Sequence, residues 1–187
     1  MNVVVFFTDQ QRWDTTGVHG NPCMLTPNFD KMEMEGTHAY EAFTPQPVCC
    51  PARGVLQTGK YATTVGTYRN ARVLGRAHKT MADYFNAAGY DTGYIGKWHL
   101  GSGRGAVPEE ERGGYQYWLG ANSLEHTSTA YHTVVYDNEN QEVTLPGYRV
   151  DALTDAAIRY IDAHKEHPFF LFISYLEPHF QNSNDSF

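Results

Sequence analysis

Two adjacent cysteines, Cys49 and Cys50, stand before Pro51 and Arg53 in the stretch PVCCPARGVLQTG, residues 47–59. A disulfide between neighbours needs a strained eight-membered ring far from preferred geometry. Zinc would need two or more further ligands at finger-like spacing, and no C-x-x-C occurs in the chain. Proline early in a helix and glycine just after its end predict a helix starting near Pro51 and stopping by Gly59. A helix N-terminus, with Arg53 one turn away, favours a thiolate at position 49 or 50 and equally favours a bound anion. Cys23, in GNPCMLTP, reads as a small buried apolar residue.

Other chemistry-bearing residues directly follow stretches read as strands. VVVFF, residues 3–7, is followed by Thr8, Asp9 and Gln10. DTGYIG is followed by Lys97 and His99, and PFFLFISYL, residues 168–176, by Glu177 and His179. Open α/β sheets bind ligands at the carboxyl ends of their strands, so these three groups are predicted to converge. A carboxylate and an amide oxygen are hard ligands for calcium or magnesium. A lysine and two histidines suit an anionic substrate and proton transfer.

The elements that must position them are read from periodicity. The continuous runs at 3–7 and 168–176 predict strands buried on both faces. TPNFDKMEMEG predicts a helix with Thr26 as N-cap, Pro27 at the first position and Gly36 as terminator, and THAYEAF after it predicts a short strand. TMADYFNAAGY predicts a helix capped by Thr80 and Asp83, with Met81, Tyr84, Phe85 and Ala88 on one face. Residues 149–166 show helical spacing of Val150, Leu153, Ala157, Ile161 and His164. Alternating strands and helices predict an α/β fold with a mostly parallel sheet flanked by helices. Residues 101–148 break this pattern and are read as a loop excursion with a hairpin around Asp137 and Asn138. Its aromatic and histidine residues Tyr115, Tyr117, Trp118, His126, Tyr131 and His132 are candidates for contacting a sugar or aryl ring.

Composition narrows the classes. The 187 residues allow one well-buried domain, and 41% hydrophobic residues argue against disorder. A net charge of −7 excludes a general nucleic-acid binder. Three cysteines exclude a secreted disulfide framework, and no run approaches a membrane span. The apolar run after Met1 and Asn2 is too short for a signal peptide, which predicts a cytoplasmic protein as written, or a periplasmic or secreted one if a leader was removed. QNSNDSF after a core strand predicts that the chain is the front part of a longer protein.

CCPARGVLQTG resembles the sulfatase signature C-x-P-S/A-R-x-x-x-x-T-G, with Cys49, Pro51, Arg53, Thr58 and Gly59 on its fixed positions. FTDQQRWD, TPNFDKMEMEG, TGKYATTVG, GKWHLG and PFFLFISYLEPH resemble that family's other landmarks in order, over essentially the whole chain. The resemblance implies an alkaline-phosphatase-like fold, incomplete at the C-terminus, with residues 1–187 forming the N-terminal part of a catalytic domain. It implies that a maturation enzyme converts Cys49 to formylglycine, while Cys50 occupies a variable position and does not partner Cys49. It further implies that Asp9, Gln10 and residue 49 bind Ca2+, with Mg2+ as the other candidate. Arg53 would hold the nucleophile, Lys97 would neutralise sulfate, His99 would act as base and His179 would protonate the leaving alcohol. The implied substrate is a sulfated small molecule or carbohydrate, with no nucleic acid and no membrane as partner. Ala52 stands where serine is common, and Gln10 where many members have a second aspartate. The family's downstream metal pair and second lysine have no counterpart here, Asp185 following the last strand too closely, so the chain alone is expected to be inactive. The alternative within the superfamily is a phosphonate or phosphate monoester hydrolase.

Overall fold

The structure, a computed structural model, describes residues 1–23 and 25–180; Asp185 and the QNSNDSF tail lie outside the described residues. Six strands form one sheet: β1 (Val3–Phe7), β2 (Asp91–Lys97), β3 (Tyr117–Ala121), β4 (Thr133–Tyr136), β5 (Glu142–Leu145) and β6 (Phe169–Ser174). Their order is β1-β6-β2-β3-β4-β5. The first four of that order are mutually parallel, and β4 and β5 close the far side antiparallel. The expected α/β architecture with a mostly parallel sheet is therefore present.

The continuous apolar run of β6 has a simple cause: helices cover both its faces. Phe170 and Phe172 of β6 and Tyr94 of β2 pack into one core with Cys50, Ala82 and Trp98. Phe169, Leu171 and Ile173 of β6 and Ile95 of β2 pack into the other with Leu153, Ala157 and Tyr160. The first core is covered by α2 (Cys49–Thr58), α3 (Ala62–Val65) and α4 (Met81–Ala87), the second by α6 (Arg149–His164). Two further α-helices are α1 (Pro27–Glu35) and α5 (Leu124–Thr127). Among the described residues no helix is long and apolar enough to cross a membrane.

α4 starts as expected, with Thr80 and Asp83 forming a capping box. Its apolar face differs: Phe85 stacks on Phe170 at 4.1 Å, whereas Tyr84 is exposed. α2 stops where Gly59 adopts φ 66° and returns its N–H to the Val55 carbonyl, while Thr58 Oγ1 donates to Gly54 O at 2.7 Å. That is the physical content of the Thr58-Gly59 pair.

Three expectations need correction. β1 is half-buried on one face only, since among the described residues it lies at the sheet edge beside β6 and only Val3, Val5 and Phe7 reach a core: Val4 and Phe6 are exposed. THAYEAF forms no strand; Tyr40 packs edge-on against Trp13 and His38 instead. Residues 101–148 are more than a loop with a hairpin, since β3 lies inside the sheet beside β2. Trp118 and Tyr115 are core residues there and Tyr117 packs on Tyr160, so none of them faces a ligand. Tyr131 and His132 are exposed.

β2 and β6 approach closely just before the site. Gly96 has φ 105°, and a Cβ there would sit 2.0 Å from the Ser174 carbonyl oxygen. Gly96→Ala is expected to destabilise by about 3 kcal/mol or more, through strain and strand separation together. A drop in the urea midpoint checks this, and an unchanged midpoint would show that the strands part without penalty.

Candidate active site

The carboxyl ends of β1, β2 and β6 meet the N-terminus of α2, as the strand-end argument requires. Val48 caps α2 without a side-chain bond, so Asn70 supplies the acceptor, its Oδ1 taking the Cys50 N–H at 3.0 Å. Pro51 falls in the first turn, where a missing N–H leaves no bond unmade. Cys50 is fully buried, and its thiol lies 3.3 Å from the Arg72 carbonyl. Cys49, Cys50 and Cys23 are all free, and Cys23 is exposed rather than buried.

Arg53 points inward from α2 and is 3% exposed. It donates to Lys97 O at 2.6 Å, to Ser174 Oγ at 2.8 Å and to Asp9 Oδ2 at 3.2 Å, and lies over the Phe7 ring. Lys97, 0% exposed, donates to the same Asp9 Oδ2 at 2.7 Å. Burial alone would raise the Asp9 pKa, but Arg53 and Lys97 outweigh it and hold the carboxyl below its ordinary value. Asp9 therefore stays ionised, with Oδ2 taken by two cations and Oδ1 turned to Cys49 Sγ at 4.0 Å.

Cys49 itself corrects the thiolate expectation. Burial pushes its thiol up, Asp9 and Glu125 add to that, and Lys97 and Arg53 do not reverse it.

His179 brings a ring nitrogen within 4.8 Å of ligand atoms of both Asp9 and Cys49. Gln10 adopts φ 57° beside Asp9 and is exposed. Glu177 turns away from the cluster and pairs with Arg149 at the start of α6, at 2.6 Å.

Sequence reasoning missed two members. Ser174, fully buried at the end of β6, accepts from Arg53. Glu125, on α5, forms an ion pair with Lys97 at 3.2 Å and lies 4.0 Å from His99 Nδ1. Burial pushes Glu125 up, but Lys97 outweighs it and the net shift is down. His99 holds φ 57°, fixed by its N–H donating to Asn122 O at 2.7 Å, a strained backbone of the kind found at functional sites. Burial and the adjacent Lys97 lower its pKa to about 4, against the smaller opposing pull of Glu125. A neutral imidazole at neutral pH is the result.

Glu125→Gln removes that opposing pull. The acid limb of any His99-dependent rate, already below the usual imidazole value of about 6.5, is expected to move to still lower pH. A pH–rate profile checks this; an acid limb that does not move would show that Glu125 does not act on His99.

Cys49, His99, Glu125 and His179 line a cavity of about 700 Å3 together with Arg72, Arg104 and His126. The arrangement places two buried cations and a neutral imidazole around Cys49.

A family model described as Sulfatase matches residues 1–187. The chain is 36% identical over 188 residues to the ulvan-active sulfatase of Formosa agariphila, covering 98% of this chain and 36% of that protein. A Bacteroides fragilis protein solved as a candidate sulfatase superposes with a TM-score of 0.84 at 26% identity, covering 95% of this chain and 44% of that one. A protein solved with its substrate D-glucosamine-2-N,6-O-disulfate gives 0.77 at 26% identity, over 95% of this chain and 34% of that one. A phosphonate monoester hydrolase of Agrobacterium radiobacter shares the fold, with a TM-score of 0.68 at 21% identity, over 95% of this chain and 41% of that one. The chain thus spans well under half the length of these proteins.

Proposed function

Because this chain belongs to the sulfatase family, we propose that the protein it spans hydrolyses sulfate esters, using Cys49 converted to formylglycine. The observation that carries this reading is the buried pair of cations, Arg53 and Lys97, locked on Asp9 beside a Cys49 whose thiol is pushed up rather than activated. A cysteine nucleophile would call for the opposite shift. Formylglycine at position 49, made by a maturation enzyme, supplies a nucleophilic hydroxyl and a route for releasing sulfate that a plain serine or cysteine lacks.

A divalent cation fits the donors present. Asp9 keeps Oδ1 free of its two cationic partners, and both the carboxylate and the neighbouring Gln10 amide are hard oxygen donors. Bound by Asp9, Gln10 and residue 49, calcium, with magnesium second, would supply Lewis-acid polarisation of the sulfate. Calcium takes about 6–8 oxygen ligands, so substrate, water and residues outside this chain would complete the shell.

The chain's own residues divide the remaining work. Arg53 fixes Asp9 and stabilises negative charge at position 49. Lys97 offsets the charge that develops on the sulfate oxygens. His99, neutral at physiological pH, takes a proton, and His179 gives one to the departing alcohol. The basic wall of Arg72 and Arg104 favours a polyanionic ester, which supports a sulfated carbohydrate as the substrate class. Residues 1–187 are read as the N-terminal part of the catalytic domain.

Peptide mass spectrometry over residues 47–60, on full-length protein produced with a formylglycine-generating enzyme, tests the first claim. An aldehyde at position 49, trapped by a hydrazine probe, is expected. An unmodified peptide, where a control sulfatase is converted, would remove the nucleophile from this reading. Parallel assays with aryl sulfate and phosphonate esters test the second claim, because both substrates are tetrahedral anions. Equal or faster phosphonate turnover would favour the shared fold's other chemistry.

A further inference from the structure

The segment from Trp13 to Phe43 has almost no core of its own: α1 buries no residue, and Thr16 is the one buried position among its described residues. Polar bonds hold it. Thr26 Oγ1 accepts the Gly17 N–H at 2.8 Å, and Asp30 Oδ1 accepts the Val18 N–H at 3.2 Å. At its centre, His19 from the 3-10 turn Gly17–His19, Glu33 from the last turn of α1, and His38 just beyond α1 come together. Their ligand atoms lie within 4.8 Å of one another.

The two imidazoles face each other through Nε2, 3.3 Å apart. That exceeds the usual hydrogen-bond span of about 2.7–3.2 Å. It matches the separation of about 3.3–3.4 Å between two nitrogens on one tetrahedral zinc ion. Ring direction agrees: the centroids are 5.1 Å apart with planes at 57°. Two rings aimed at one tetrahedral ion would place them about 5.2 Å apart, whereas rings pointing straight at each other would give about 5.6 Å. Each ring is also held from behind. His38 Nδ1 contacts the Glu33 carboxylate, and His19 Nδ1 contacts Thr16 Oγ1 at 2.5 Å. Such outer partners aim a histidine's other nitrogen at a metal. Glu33 Oε2 is buried without a hydrogen-bond partner, so this carboxylate has spare capacity beside the pair.

We propose that His19 and His38 bind a divalent transition-metal ion, zinc foremost, through their Nε2 atoms, with Glu33 orienting His38 and balancing charge. Imidazole donors select such ions, in contrast to the hard oxygens at Asp9. The ion would tie the turn at 17–19 to the end of α1, supplying the cohesion that this segment lacks in apolar contacts. The site is independent of the sulfatase reading and stands or falls separately.

Zinc titration of metal-stripped full-length protein by calorimetry tests it, with Asp9→Asn present throughout to silence the oxygen site. His19→Ala and His38→Ala are each expected to lose one zinc equivalent, and Glu33→Gln to bind about 10–100-fold more weakly. The same stoichiometry with and without either histidine would overturn the site and leave a hydrogen-bonded histidine pair. An unchanged affinity in Glu33→Gln would overturn the carboxylate's part. Zinc-edge X-ray absorption on protein with both histidines intact guards against misfolded variants: two imidazole nitrogens are expected, and an all-oxygen shell would refute the proposal.

Discussion

Lys97→Met is expected to lower kcat/KM on a sulfate ester by about 10²–10³-fold and to destabilise the protein by about 3–5 kcal/mol. The side chain is 0% exposed and stands between two carboxylates, 2.7 Å from Asp9 and 3.2 Å from Glu125. Methionine fills nearly the same volume but leaves both acids buried, with Arg53 alone to offset Asp9. The loss should depend on pH. Asp9 and Glu125 are held below their ordinary values in the folded protein, so their pairing contributes stability above the unfolded carboxylate range and loses it as pH falls. Without Lys97 the lift from burial is less offset at both, so the variant gains relative to the original as the acids protonate. The stability gap should therefore be widest near neutral pH and narrow toward acid. Adding Glu125→Gln to Lys97→Met should recover part of the stability, because one stranded charge is gone, and none of the activity. Thermal unfolding across pH with steady-state kinetics checks both. A Lys97→Met protein as stable and active as the original would dissolve the proposed site.

How much of this was legible depended on whether the signal was local. β6 was readable because helices cover both faces, which leaves an unbroken apolar run, and β2 from its place directly after the capped helix at Thr80. α2 was readable from Pro51 and Gly59, since both mark backbone geometry rather than partners. β1 shows the limit of that reasoning: its run is as apolar as β6, but its place in the sheet order exposes alternate residues. β3 escaped because Tyr117, Gly120 and its polar flanks hide a short strand, and losing β3 meant losing Glu125. The rule that located Asp9, Lys97 and His179 would have found it, as NSLEH follows β3 as directly as those groups follow their strands. The protonation of Cys49 was out of reach for a different reason. The helix end and Arg53 are near in sequence, whereas Asp9 and Glu125 act through space, and burial sets the sign. His19 and His38 lie on either side of α1, and nothing in their spacing announces that two rings will meet.

Cys49→Ser, produced without a maturation enzyme, is expected to release one equivalent of alcohol and then stop, with steady turnover down by about 10⁴-fold or more. The side chain opens on the cavity and makes one long polar contact, 4.0 Å to Asp9 Oδ1, so little stability is at stake. A serine hydroxyl beside Arg53 and Lys97 can attack the sulfur: its proton passes to neutral His99, its O–S bond forms, the ester S–O bond breaks, and the leaving alcohol takes a proton from His179. The serine then carries the SO3 group and has no second hydroxyl on the same carbon with which to expel it. Peptide 47–60 should gain the mass of SO3 in step with the burst. Cys49→Ala should show neither burst nor added mass while unfolding at the same temperature. The contrast with Lys97→Met is the diagnostic: one position removes chemistry and leaves the fold, the other removes both. Steady turnover by Cys49→Ser without the added mass would place the nucleophile elsewhere, and the cations around Asp9 would then be a structural network that happens to border a cavity.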